Sequence, residues 1–313
     1  MNLVFMGTPD FSVPTLKALC ESDHNVLGVF TQPDKAVGRK QVITPSAVKV
    51  YAESVGLPVF QPETLRDGEA LNIIKNLNPD VIIVVAYGKI LPEEILNSPK
   101  YGCVNGHASL LPRHRGASPI QWSIVCGDTV TGMSTQRMEK GLDTGDVLLS
   151  ESIEIGENET GEELHDRLSL LSAKVILDTI KGLEEGTLTP EKQDDSKSNY
   201  APIIKREMGF VDFKKTAQET HNLIRGFYSW PAAYFYLDGK RVKILSSRIA
   251  EDKTAECGTV LCSDKKLIVA CASNTAIELV EIQAEGSKRM SAADYLMGHP
   301  IKEGFVILHE EKH

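Results

Sequence analysis

Residues 80–88 read DVIIVVAYG. Five β-branched apolar residues stand in a row, Val81 to Val85, with an acid before them and a glycine after. A half-buried strand would alternate apolar and polar, whereas an unbroken run of this length fits a strand covered on both faces. Such strands belong to parallel sheets with helices packed on either side.

The chain on both sides of this strand follows the same plan. LVFMG (3–7), NVLGVFTQ (25–32), LPVFQP (57–62), GCVNGH (102–107), GMSTQRM (132–138) and DVLLSESI (146–153) read as further strands. Between them, 9–22, 46–56, 63–78 and 118–127 have helical spacing, and 162–185 is one long periodic helix. Ser46 and Ser118 suit the N-cap, and Pro119 suits the first helical position. This βαβ alternation predicts an α/β fold with a Rossmann-like, mostly parallel sheet. Ligands of such sheets bind at the carboxyl ends of the strands. Asn105 and His107 stand at one such end and the AYGKILP turn (86–92) at another, so both should line one crevice.

Residues 186–208 are polar, contain two prolines and have no period. Short strands follow from 232 onward, with LDGKR as a hairpin turn. The expected organisation is a catalytic domain over 1–189, a linker over 190–207 and a small OB-like β-barrel over 208–313.

Composition narrows the function. Net charge is −9, yet residues 205–313 carry 16 Lys and Arg against 15 Asp and Glu, so the acidity lies in the first part of the chain. A general nucleic-acid binder is basic throughout, so contacts to a nucleic acid here would be local. Lys35, Arg39 and Lys40 form one basic cluster, and Lys205 and Arg206 at the end of the linker and Lys243 in the barrel are further candidates. The six cysteines form no CxxC pair, which predicts reduced thiols and no metal site. No apolar run is long enough to span a bilayer, and the start MNLVFMGTPDF has no leader-like pattern, so a cytoplasmic protein is expected.

The chemistry should lie in NGHASLLPRHRGASPIQW (105–122). GTPDFS follows the first strand in place of GxGxxG, and neither a phosphate loop nor a GxSxG elbow occurs. Nicotinamide chemistry and Ser-based hydrolysis are therefore unsupported. What remains is Asn105 and His107, with Asp143 and Asp146 in GLDTGD (141–146). A side-chain amide can donate to an oxyanion, and a His beside a carboxylate can move protons. Such a set supports acyl transfer in which the substrate's own amine is the nucleophile.

Asn-x-His with SLLP, then RGASPI and GLDTGD, resembles the folate-dependent formyltransferases. FMGTPDFSVPTLKAL (5–19), GVFTQPDKAVGRK (28–40), VVAYGKILP (84–92) and IRGFYSWPAAY (224–234) extend the resemblance over nearly the whole chain, and most closely to members acting on initiator methionyl-tRNA. The resemblance implies that Asn105 stabilises the oxyanion, that His107 is catalytic and that Asp143 pairs with it. It implies 10-formyltetrahydrofolate as co-substrate, without metal, held along Tyr87, Gly88, Ile90 and Leu91 and beside Ser109, Leu110, Leu111 and Pro112. It also implies a tRNA contact through the 34–40 loop, chiefly Arg39, and a monomeric enzyme. Gly106 departs from the pattern, since Ile or Val is usual between Asn105 and His107. An amino-sugar acceptor is the main alternative, because enzymes of that kind share the triad and can carry a second domain.

Overall fold

The computed structural model describes residues 1–307 apart from Arg39 and Asp252. The chain forms two compact units that are not contiguous in sequence. The first comprises Met1–Pro119, Val130–Glu154 and His165–Ala201, and the second Ile120–Thr129, Ile155–Leu164 and the chain from Pro202.

The first unit is built on a seven-stranded sheet. Its order is Val147–Glu154, Val130–Arg137, Cys103–His107, Val81–Val85, Asn2–Gly7, Asn25–Phe30, Val59–Phe60. The five strands from Cys103–His107 outward are parallel, and Val130–Arg137 is antiparallel to both its neighbours. Val81 to Val85 are all buried, as the apolar run requires. The register pairs Val84 with Asn105 and Val85 with Gly106, so the chain leaves the carboxyl ends of these two neighbouring strands side by side.

Local sequence accounts for the helix starts. Ser46 accepts a hydrogen bond from the Lys49 N–H and begins the Ala47–Ser54 helix. The helix read over 63–78 begins only at Glu69. Gly68 takes a left-handed conformation there, and Asp67 accepts the Glu69 N–H, so the preceding residues form turns. Among the elements that escaped the sequence reading are the hairpin of Lys35–Val37 and Val42–Thr44 and the short helix Glu93–Leu96.

The polar stretch after the long Gly161–Glu185 helix is partly anchored to the first unit. Glu191 bridges Val147, and Tyr200–Ala201 pairs in parallel with Arg115–Gly116.

The second unit carries a curled antiparallel sheet in the order Ala233–Leu237, Lys240–Ala250, Ala276–Ala284, Leu267–Ala270, Val260–Cys262, with Met290–Ser291 added on Ala276–Ala284. It is an open half-barrel. Asp238 and Gly239, both at positive φ, turn the first hairpin in the manner of a type I′ turn. Phe213, Phe235, Ile277 and Leu279 are buried at its centre. The Ala217–Gly226 helix opens with a capping box between Thr216 and Glu219. Near its end, the buried Arg225 donates to the Gly156 and Glu159 carbonyls and so fixes the 155–164 segment within this unit. No helix among the described residues is long and apolar enough to cross a membrane.

Candidate active site

Cys103–His107 runs between Val81–Val85 and Val130–Arg137, which places Asn105, Gly106 and His107 at its carboxyl end. Asn105 is half-buried, and its side chain makes no hydrogen bond among the described residues. Its two amide donors are free. Gly106 faces the other way. A Cβ there would stand 3.4 Å from both Ile176 and Val85 and 3.5 Å from Ser172, so a methyl fits and a branched side chain does not.

His107 is 6 % exposed. Its Nε2 lies 2.9 Å from the His114 carbonyl, and its Nδ1 lies 3.7 Å from Asp143 Oδ2. Since a carbonyl only accepts, Nε2 carries the hydrogen in this arrangement. The neutral tautomer then turns a bare Nδ1 toward the carboxylate, whereas the imidazolium offers a donor to each side.

The sequence left Asp143 and Asp146 open, and the structure brings Asp143 to His107. Asp143 sits at positive φ in the tight turn before Val147–Glu154. The turn can be this tight because residue 145 is glycine, where a Cβ would fall 1.7 Å from the Arg137 carbonyl oxygen. The two carboxylate oxygens have separate partners. Oδ2 accepts the Gly116 N–H at 2.9 Å, and Oδ1 accepts from Gln136 Nε2 at 2.9 Å. Gly116 also needs to be glycine, with φ of 119° and the Ala201 carbonyl 2.6 Å from where its Cβ would be. Arg115 and Gly116 tie the loop down, through Gln193, Asp195 and Asp143.

Gln136 is a site residue that the sequence reading missed. It is 2 % exposed, is the register partner of Asn105, and its Oε1 is buried without a hydrogen-bond partner. The available signal was its place on a strand directly before GLDTGD, but nothing in the sequence announces which strand is its neighbour.

The segments expected to meet the co-substrate divide into anchored and open parts. Tyr87 is 1 % exposed, and burial pushes its hydroxyl pKa up to about 12. Its carbonyl accepts from Thr8 Oγ1 and Gln32 Nε2. Ser109 is fully buried and donates to the Arg113 carbonyl. Leu91 is buried as well. Tyr87, Leu91 and Ser109 therefore hold the loops and present no side-chain polar group outward. Gly88, Leu110, Leu111 and Pro112 are the more open members, and Ile90 is 79 % exposed. These residues follow the carboxyl ends of two neighbouring strands.

Of the basic residues, Arg39 lies outside the described residues. Lys35 is exposed and donates to Gln32 Oε1. Lys40, Lys205 and Arg206 are exposed, and Lys243 is half-buried. No group of three or more His, Cys, Asp or Glu among the described residues is placed to hold a metal ion.

Residues 1–180 match the family described as formyl transferase, and residues 203–300 match the formyl transferase C-terminal domain. The chain belongs to the formyl transferase family. Its relatives include the methionyl-tRNA formyltransferase of Caldanaerobacter subterraneus subsp. tengcongensis, 51 % identical over 98 % of this chain and 100 % of that protein. That of Geobacter metallireducens is 47 % identical over 99 % of each. Among solved structures, the sugar 3N-formyl transferase WlaRD, crystallised with dTDP and 5-N-formyl-THF, superposes with a TM-score of 0.70 at 17 % identity, over 92 % of this chain and 99 % of that one. This likeness extends the formyl transferase fold across both units.

Proposed function

We propose that the chain transfers a formyl group from 10-formyltetrahydrofolate to the α-amine of initiator methionyl-tRNA, with Asn105, His107 and Asp143 as its catalytic residues. The observation that carries this reading is the His107–Asp143 pair beside an Asn105 amide that has no other partner. Residues 1–189 carry the chemistry, residues 208–313 hold the tRNA, and 190–207 join them. The enzyme works in the cytoplasm as a monomer.

The co-substrate supplies the formyl carbon: the amine nitrogen bonds to it, its bond to N10 breaks, one proton leaves the amine and one reaches N10. An α-amine titrates near pH 7.7–8.0 and an ester lowers that value, so the nucleophile is largely neutral at working pH. Asn105 donates to the formyl oxygen as that oxygen takes up negative charge, a contribution of about 2.7–4 kcal/mol per donor. His107 takes up and returns a proton at Nδ1. Asp143 fixes the ring, and is itself held by Gly116 and Gln136. Gly88, Ile90 and the Leu110–Pro112 stretch hold the ring of the co-substrate, with Tyr87, Leu91 and Ser109 supporting the backbone behind them. Lys35, Arg39, Lys40, Lys205, Arg206 and Lys243 contact tRNA phosphates.

The test is transfer of labelled formyl from 10-formyltetrahydrofolate to methionyl initiator tRNA, with methionyl elongator tRNA and an amino-sugar nucleotide as parallel acceptors. Preferential labelling of the initiator is expected. Labelling of the sugar alone, or of no acceptor, overturns the assignment.

A further inference from the structure

The polar segment between the long helix and the second unit has an unusual pattern of burial. Glu191, Lys192 and 194–197 are exposed, while Gln193 and Asn199 are half-buried among them. These two side chains reach the two loops that carry the catalytic residues.

Gln193 bonds to both loops at once. Its Nε2 donates to the Asp143 carbonyl at 2.8 Å and to the Gly145 carbonyl at 2.7 Å. Its Oε1 accepts from Arg115 Nε at 3.0 Å and from Arg115 Nη2 at 2.9 Å. One amide thus spends both donors on the turn that bears Asp143 and its acceptor on the loop that follows His107. Asn199 adds a second tie, since its Oδ1 accepts the His114 N–H and its carbonyl accepts the Arg115 N–H at 3.0 Å. The His114 carbonyl is the group that His107 Nε2 meets. The chain then pairs Ala201 with Gly116, whose N–H holds Asp143.

We infer that Gln193 is a positioning residue of this enzyme, and that the 191–201 segment is a brace setting the distance between His107 and Asp143. The inference rests on the proposed formyl transfer. Gln193 touches neither residue's side chain. It fixes the backbone of Asp143 and Gly145 against Arg115, and so fixes the 3.7 Å gap across which the His107 Nδ1 proton is governed. An error of about 1 Å at such a distance can cost on the order of 100-fold in rate. An exposed linker needs no side chain with all its donors and acceptors engaged in this way. Substituents on the neighbouring Asp194 and Ser196 would leave the site untouched, because these two bond to each other.

Two substitutions separate positioning from folding. Gln193→Met keeps the length and removes every hydrogen bond. Gln193→Glu keeps an acceptor for Arg115 and removes the donors to the Asp143 and Gly145 carbonyls. Both are expected to lower kcat for formyl transfer by about 100-fold, with KM for donor and acceptor and the melting temperature unchanged, and with Ser196→Ala at wild-type activity. Amide hydrogen exchange over 114–118 is expected to rise in both, with the Val81–Val85 strand still protected. Wild-type kcat in Gln193→Glu overturns the inference, whatever the exchange shows. Faster exchange with wild-type kcat in both variants also overturns it, leaving Gln193 a structural tie only. A wild-type protein that labels no methionyl-tRNA overturns the functional reading instead, and unchanged exchange in the variants then overturns the brace independently.

Discussion

Asp143 Oδ2 lies 3.7 Å from His107 Nδ1 and 2.9 Å from the Gly116 amide nitrogen, so one carboxylate oxygen serves both the ring and the loop that follows it. Its other oxygen belongs to Gln136. Replacing Asp143 by Asn changes one atom. With the new amide oxygen toward Gly116, its nitrogen faces Gln136, whose amide can turn its otherwise unpartnered Oε1 to accept, so both loop contacts are kept. The ring alone loses its negative partner. Loss of the carboxylate in a comparable His-centred site costs roughly 10⁴ in kcat with little change in geometry. Asp143→Asn is expected to approach that loss in steady-state formyl transfer while circular dichroism stays native.

Asn105 gives a smaller and cleaner effect. Its side chain supports nothing else among the described residues, so Asn105→Ala should leave the melting temperature unchanged. Kcat should fall by about 10²–10³. A drop of that size confined to KM would place the amide in substrate binding and not in stabilising charge.

Gly106 separates the sequence pattern from the packing. Alanine meets ordinary contacts at 3.4 Å and restricts the unfolded chain, so Gly106→Ala is expected to stabilise by up to about 1 kcal/mol. Gly106→Ile adds carbons against Ile176, Val85 and Ser172 and should destabilise by about 1–3 kcal/mol. Urea midpoints of the two variants check the signs.

The sheet was legible because its strands announce themselves by apolar runs and its helices by caps such as Ser46. The orientation of Val130–Arg137 was not, since side-chain alternation is the same in parallel and antiparallel strands. Asn105 and His107 were legible at one strand end and GLDTGD as the stretch that returns to them, but the choice of Asp143 over Asp146 came only from the resemblance. Gln136 and Gln193 were not legible. Each reaches Asp143 across a fold whose register the sequence does not print, and a polar aperiodic stretch such as 191–201 reads as solvated when it is instead spent on backbone carbonyls. The 35–44 hairpin escaped for a related reason: Val42 and Ile43 are exposed, so no buried face gives it a period.

His221 makes the second unit sensitive to acid. It is 5 % exposed, and its Nδ1 lies 2.9 Å from Ser247 Oγ. Burial lowers its pKa below 6.5, the neighbouring Arg225 lowers it further, and a hydrogen bond to the Glu157 backbone opposes them. The folded form therefore binds fewer protons than the unfolded form. Stability is fully present above the unfolded value of 6.5 and falls as pH drops below it, until the folded His itself titrates. Melting temperatures measured from pH 7.5 downward should fall more steeply for the wild type than for His221→Gln, starting at about pH 6.5. Parallel curves would remove His221 from the account.

Salt dependence tests the basic residues without any chemistry. Each phosphate contact releases counterions, so removing one true contact reduces the slope of log K against log salt by about 0.7–0.9. Among the described residues Lys205, Arg206 and Lys243 make no ion pair, so their neutralisation should not disturb the fold. Binding of methionyl initiator tRNA to Lys205→Met, Arg206→Met and Lys243→Met, measured over a series of salt concentrations, should show a reduced slope for each. The same change at Lys17, paired with Glu21 on a helix of the first unit, should leave the slope where it was. A slope unchanged in all three variants removes these residues from the tRNA interface and leaves the Lys35–Lys40 loop to supply the phosphate contacts.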